Sequence, residues 1–179
     1  HGSDSTDNPD LFLGNGFDYV LCGEAESLLA SLCMSVLQGK EPAASDGLIR
    51  SDQGGRMIRS TQRLAQNPAW AQLSLPARDL VSLEPYRKAW LGTHGYFSTN
   101  MVASRGCPFH CNWCAKPISG NRFHIRAASS VAEEMSQLKQ ANVDHIWFGD
   151  DVFALNHRWV KEFADEVAKR NAAVPFKVQ

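Results

Sequence analysis

The chain has 179 residues, 44% of them apolar, which allows one ordinary domain or parts of two around a buried core. Eighteen basic against nineteen acidic residues leave a net charge of -1, and no block of like charge is long enough for a nucleic-acid or membrane patch. No apolar run approaches the roughly 20 residues that span a bilayer, and the polar start, His1 to Asp7, does not resemble a signal peptide. A soluble, cytoplasmic protein with neither a nucleic-acid nor a membrane partner is expected. The start without methionine and an end inside an expected strand suggest a chain cut at both ends. The five cysteines are odd in number, with Cys107, Cys111 and Cys114 packed into one short stretch. That pattern fits metal binding in a reducing compartment better than disulfides.

In chain order, residues 17–21 read as a short buried strand. A helix is expected from Glu24 to Gln38 with Leu28, Leu29, Leu32, Val36 and Leu37 on one face, stopped by Gly39. Glu24 and Glu26 suit a helix N-terminus, and Cys22 and Cys33 read as small core residues. Residues 47–50 and 56–59 flank Ser51 to Gly55 as a hairpin. From Thr61 to Trp90 no period is sustained, which predicts a linker containing a domain boundary. A strand over 98–103 precedes the cysteines. A helix then opens on a capping box, Ser130 to Glu133, with Val131, Met135 and Leu138 buried. A strand at 143–148, a helix capped by Asn156 with Val160, Phe163, Ala164 and Val167 at helical spacing, and a strand at 174–178 complete the series. Alternating strands and helices predict parallel βα units.

Cys107, Cys111 and Cys114 bring three thiolates into one loop after a strand. A structural zinc site takes four protein ligands, whereas a four-iron cluster held by three cysteines keeps one iron open for an exogenous ligand. A zinc site completed by a distant ligand, or by His110, is the alternative reading of the residues alone.

The spacing of three and then two residues between the cysteines, after Val102 to Gly106, resembles the radical S-adenosylmethionine (SAM) superfamily. The resemblance implies a [4Fe-4S] cluster on Cys107, Cys111 and Cys114. SAM chelates the open iron and is cleaved reductively to methionine and a 5′-deoxyadenosyl radical. It also implies a small-molecule substrate and a reductant such as flavodoxin or ferredoxin. Trp113 stands where the family has a bulky residue near the adenine. Gly149, Asp150 and Asp151 stand where a Gly-Gly-Glu-like segment binds the SAM amino group, with the choice between the two carboxylates left open. Arg126, in the stretch 123–126, resembles a basic segment that follows the cluster; it either pairs with a carboxylate or lies on the surface.

Asp18 to Glu26 and Leu75 to Leu80 with Tyr86 resemble the end of a cobalamin-binding domain and the linker that follows it in one subgroup. Gly2 and Ser3 then stand where a small-residue turn lies beside the cobalamin tail. The histidine segment that supplies a lower cobalamin ligand in that subgroup is not among these residues. The resemblance implies an α/β chain: the end of a Rossmann-like cobalamin-binding domain (1–40), a hairpin and linker (41–95), and the first βα units of a partial TIM-like barrel (96–179). The implied chemistry is methylation, rearrangement or ring closure. The alternatives are a radical SAM methylthiotransferase, a cobalamin-independent radical SAM enzyme, or, from another class, a zinc-binding interaction module.

Overall fold

The computed structural model describes residues 1–52, 54–61, 64–65, 69–114 and 122–178. The chain is a mixed α/β structure that divides into two compact units. One consists of His1–Pro68 with His110–Asn121, the other of Ala69–Phe109 with Arg122–Gln179.

In the first unit, short helices α1 (Ser3–Asp7) and α2 (Pro9–Gly14) precede β1 (Tyr19–Leu21), α3 (Glu26–Leu37), β2 (Leu48–Ser51) and β3 (Met57–Arg59). The expected hairpin is present: β2 pairs antiparallel with β3. β1 pairs antiparallel with β2 through Val20 and Ile49, so the strand and the hairpin share one sheet ordered β1-β2-β3. The linkage between them is tight. Gly23 and Gly47 have φ of +94° and +79°, and a Cβ on either would collide with the backbone around Cys22 and Ala65.

Two sequence expectations are corrected in this unit. α3 buries only Leu28 and Leu32, while Leu29, Val36 and Leu37 are exposed. Cys22 is buried, but Cys33 lies on the exposed side of α3 and is not a core residue.

The second unit is built on a parallel sheet. Strands β4 (Ser98–Met101), β7 (His145–Phe148) and β8 (Phe176–Lys177) lie in the order β4-β7-β8. Both pairings are parallel, as the alternation of strands and helices predicts. Helices α5 (Ala128–Gln140) and α6 (His157–Lys169) cover one face. Ile146 and Phe148 of β7 pack there against Val131, Met135 and Leu138 of α5 and Trp159 and Phe163 of α6. Full burial of such side chains contributes roughly 1.5–3 kcal/mol each. The Trp159 and Phe163 rings stack 5.2 Å apart. The Asn156 side chain accepts hydrogen bonds from the Arg158 and Trp159 amides, which caps α6 as expected.

The stretch expected to be a linker contains helix α4 (Glu84–His94), with Pro85 in its first turn and Gly95 closing it at φ 75°. α5 also begins earlier than its apparent capping box. Its N-cap is Ala127, with no side-chain cap, and Ser130 lies inside the first turn.

Candidate metal centre

The sequence after β4 turns through β5 (Ser104–Arg105), which pairs antiparallel with β6 (His124–Ile125), and leaves it at Gly106, where φ is +79°. Cys107 follows directly. Each residue of this approach is held. The Val102 carbonyl accepts from Arg126 Nη1 at 2.8 Å, and the Ala103 carbonyl accepts from the Arg126 amide at 2.9 Å. The Ala103 amide donates to both oxygens of Asp150, at 3.2 and 3.1 Å. The Ser104 hydroxyl lies within hydrogen-bonding distance of Asp150 Oδ1 and of the Val152 carbonyl. The Gly106 amide donates to Asp151 Oδ2 at 3.0 Å, and the Arg105 guanidinium lies 4.7 Å over the Trp70 ring.

Asp150 and Asp151 thus have different surroundings although they are neighbours. Asp150 is 1% exposed, and burial pushes its carboxyl above the ordinary carboxylate range, opposed by the hydrogen bonds from Ser104 and Ala103. Asp151 is exposed. Gly149 continues the ladder, its amide donating to the Met101 carbonyl at 2.9 Å.

Arg126 is buried and both terminal nitrogens of its guanidinium are engaged. Nη1 reaches Glu134 Oε2 at 2.5 Å, and Nη2 reaches Ser130 Oγ at 3.0 Å. Of the two placements the sequence left open, the pairing with a carboxylate is the one observed. The Glu134 carboxylate, 1% exposed, also binds Arg78 Nη1 at 2.7 Å through its other oxygen. Arg78 Nη2 donates to the Asn100 carbonyl at 3.0 Å. The indole N–H of Trp159 donates to the Arg126 carbonyl at 2.7 Å. Sequence reasoning missed Glu134 and Arg78. The signal for Glu134 was its place among Val131, Met135 and Leu138, in the apolar stripe of α5.

Cys107 is half-buried, and Cys111 and Cys114 are exposed. None of the five cysteines is in a disulfide. The Cys114 amide donates to the Cys111 carbonyl at 3.3 Å in a turn. Among the described residues no three His, Cys, Asp or Glu side chains are gathered closely enough to hold a metal ion. The donor set nevertheless fits a cluster: three thiols on one irregular loop, two of them at the surface. Trp113 is 87% exposed. Gly2 has φ 133° with open space around its Cα, and its carbonyl accepts from Thr6 Oγ1 at 2.7 Å; Ser3 is exposed.

The face of the parallel sheet opposite α5 and α6 carries both polar and aromatic side chains. Asn100, Trp147 and Lys177 are in register across the three strands, with Lys177 Nζ 5.5 Å from the Trp147 ring. On the same face Ser98 Oγ is 3.0 Å from His145 Nδ1. A cavity of about 550 Å³ opens there, lined in part by Arg78, Trp90, Phe97 and Trp147. Among the described residues, no helix is long and apolar enough to cross a membrane.

No protein-family model matches the chain. It is 29% identical over 143 residues to an uncharacterized methyltransferase of Pyrococcus horikoshii, covering 79% of this chain and 30% of that protein. It is 22% identical over 166 residues to an anaerobic magnesium-protoporphyrin IX monomethyl ester cyclase of Synechocystis, covering 88% of this chain and 30% of the cyclase. Among solved structures it resembles the radical SAM methyltransferase TsrM of Kitasatospora setae with cobalamin and a [4Fe-4S] cluster bound. The TM-score is 0.71 at 24% identity, covering 95% of this chain and 33% of the other. It also resembles the cobalamin-dependent SAM radical enzyme OxsB with aqua-cobalamin and SAM bound, at a TM-score of 0.73 and 16% identity, covering 98% of this chain and 24% of the other. The chain spans about a third or less of the length of the proteins it matches. At these identities the two solved structures show that the chain shares their fold.

Proposed function

We infer that the chain is part of a cobalamin-dependent radical SAM enzyme and that Cys107, Cys111 and Cys114 hold a [4Fe-4S] cluster. The observation that supports this best is the cysteine spacing on a loop leaving a parallel strand whose every approach residue is anchored. A cluster held there by Cys107, Cys111 and Cys114 would supply an electron for the reductive cleavage of SAM.

Asp151 and Gly149, at the exposed end of β7, and Trp113, exposed on the loop, are proposed to contact SAM. Asp150 and Arg126 turn inward and serve the site by holding the loop's approach. The face carrying Asn100, Trp147 and Lys177, where the cavity lined in part by Arg78 and Trp90 opens, is proposed to face the small-molecule substrate. Gly2 and Ser3 are proposed to lie beside cobalamin. Methylation or ring closure is the proposed reaction class, supported by relatives of both kinds.

The test is anaerobic reconstitution followed by iron and sulfide analysis, with EPR of the reduced protein before and after SAM. About four irons per chain and a spectrum that responds to SAM are expected, because three thiolates leave one iron open. Stoichiometric zinc without iron would sink the reading. Retention of cobalamin on gel filtration tests the cobalamin part separately.

A further inference from the structure

β4 is at the end of the parallel sheet, and its pairing leaves alternate carbonyls without a strand to bond. The Met101 carbonyl points toward β7, where it accepts from Gly149. Those of Asn100 and Val102, one residue to either side, therefore point toward the other edge. Among the described residues no strand pairs there. Two guanidiniums take the strand's place: Arg78 donates to the Asn100 carbonyl at 3.0 Å and Arg126 to the Val102 carbonyl at 2.8 Å.

Two guanidiniums converging on one edge repel each other unless an anion lies between them. Glu134 is that anion, each of its oxygens engaging one arginine. Its carboxylate reaches the pair from within α5 and is 1% exposed, where an unpaired charge is strongly disfavoured. The planar fork of arginine lets each side chain bind the carboxylate and a carbonyl together, which a lysine ammonium on its flexible stem does less well.

We propose that Glu134 is a positioning residue for the cysteine loop. Through Arg78 and Arg126 it fixes the free edge of the strand from which the loop departs. The inference rests on the reading that Cys107, Cys111 and Cys114 hold the cluster. Between Val102 and Cys107 the backbone is held in turn by Arg126, Asp150 and Asp151. A shift at Val102 is therefore passed along to Cys107 and not absorbed in slack. Glu134 and Arg78 act through the backbone of β4.

The test compares wild type with Glu134→Gln, Arg78→Gln and Arg78→Lys after anaerobic reconstitution. Iron per folded chain, the cluster's midpoint potential and the SAM concentration that half-completes the EPR change are measured. Iron content close to wild type is expected in all three. The SAM concentration should rise about tenfold or more in Glu134→Gln, with a shifted potential, and Arg78→Lys should fall between wild type and Arg78→Gln. In the protein before reconstitution, hydrogen exchange of the amides from Ala103 to Gly106 should quicken while those in the middle of α6 stay protected.

A purely structural role lowers the melting temperature but leaves the potential and SAM titration of the folded molecules unchanged; that result overturns the proposal. If Glu134→Gln does not fold, Arg78→Gln decides, since Arg78 is at the 23% exposed end of the network. Wild type that takes up no iron overturns the cluster reading and the inference together. Wild type with a SAM-responsive cluster and unaffected variants overturns the inference alone.

Discussion

Asp150 offers a sharp test of the site's architecture, because the same carboxylate can be read as a ligand or as a support. Truncation to alanine removes both acceptors of the Ala103 amide, on a residue that is 0% exposed. Ser104 is less affected, since its hydroxyl is also 3.1 Å from the Val152 carbonyl. A buried donor left without a partner costs about 1–3 kcal/mol, so Asp150→Ala should lower the unfolding free energy by that amount. Asp151→Ala removes an acceptor of the buried Gly106 amide and should fall in the same range. Urea unfolding followed by circular dichroism measures both. The sign of the pH dependence is a second, independent check. Burial raises the Asp150 carboxyl above its ordinary range, so between the ordinary and the raised pKa the folded chain binds a proton that the unfolded chain has lost. Its contribution to stability is therefore present at low pH and declines as pH rises through that window. Asp150→Asn has no proton to lose, and the difference between wild type and this variant should move in favour of the variant as pH rises. A wild-type curve that gains on the variant with rising pH, or an Asp150→Ala cost within 0.5 kcal/mol, would refute the view that Asp150 is a buried support.

Single changes of Cys107, Cys111 or Cys114 to Ala should each abolish most iron uptake on reconstitution, while Cys22→Ala and Cys33→Ala should leave it intact; iron analysis per chain decides. Burial pushes the Cys22 thiol up, so in the native protein iodoacetamide should label exposed Cys33 well before Cys22, and mass spectrometry reads the order. Asn156→Ala should cost about 0.5–2 kcal/mol of unfolding free energy through loss of the α6 cap. Gly47→Ala should prevent the first unit from folding, since the new methyl meets the Cys22 carbonyl and Ala65 backbone; soluble yield and circular dichroism are the measures, and a normally folded variant would contradict the packing described.

The fold was legible where pattern and burial coincide. The parallel strands around α5 and α6 have apolar residues in phase with their core, and the sequence locates them within a few residues; the hairpin 47–59 is marked by its turn, since only Leu48 and Ile49 of β2 are buried and β3 is exposed. α4 was not visible because it has no buried residue, so its periodicity had nothing to register. Its two signals were terminal: Pro85 at the start and Gly95 at the end. α3 misled in the opposite way. Its leucines cover more of the helix surface than the sheet can bury, and residue type alone does not say that only Leu28 and Leu32 point inward. The apparent capping box at Ser130 failed because a nearby arginine claims the serine's hydroxyl, and the helix starts without a side-chain cap.

At the site, the cysteines were legible because their spacing is itself the chemistry, whereas the residues supporting them were masked by their type. Asp150 follows Ile146 and Phe148 at every second position, so the strand's alternation already placed it on the helix-facing, buried side, with Gly149 in phase with exposed Trp147. Glu134 likewise occupies a core phase of α5 between Val131 and Leu138. A charged residue at an apolar phase has no stable place unless the fold supplies partners for it. For Asp150 the partners lie just after the strand that leads to Cys107, and for Glu134 they are the two arginines that hold that strand's free edge. Reading such residues by phase before type finds the buried supports, Asp150 and Glu134; Asp151, out of phase with the core, lies at the surface, where its Oδ2 accepts from the Gly106 amide and SAM is proposed to bind.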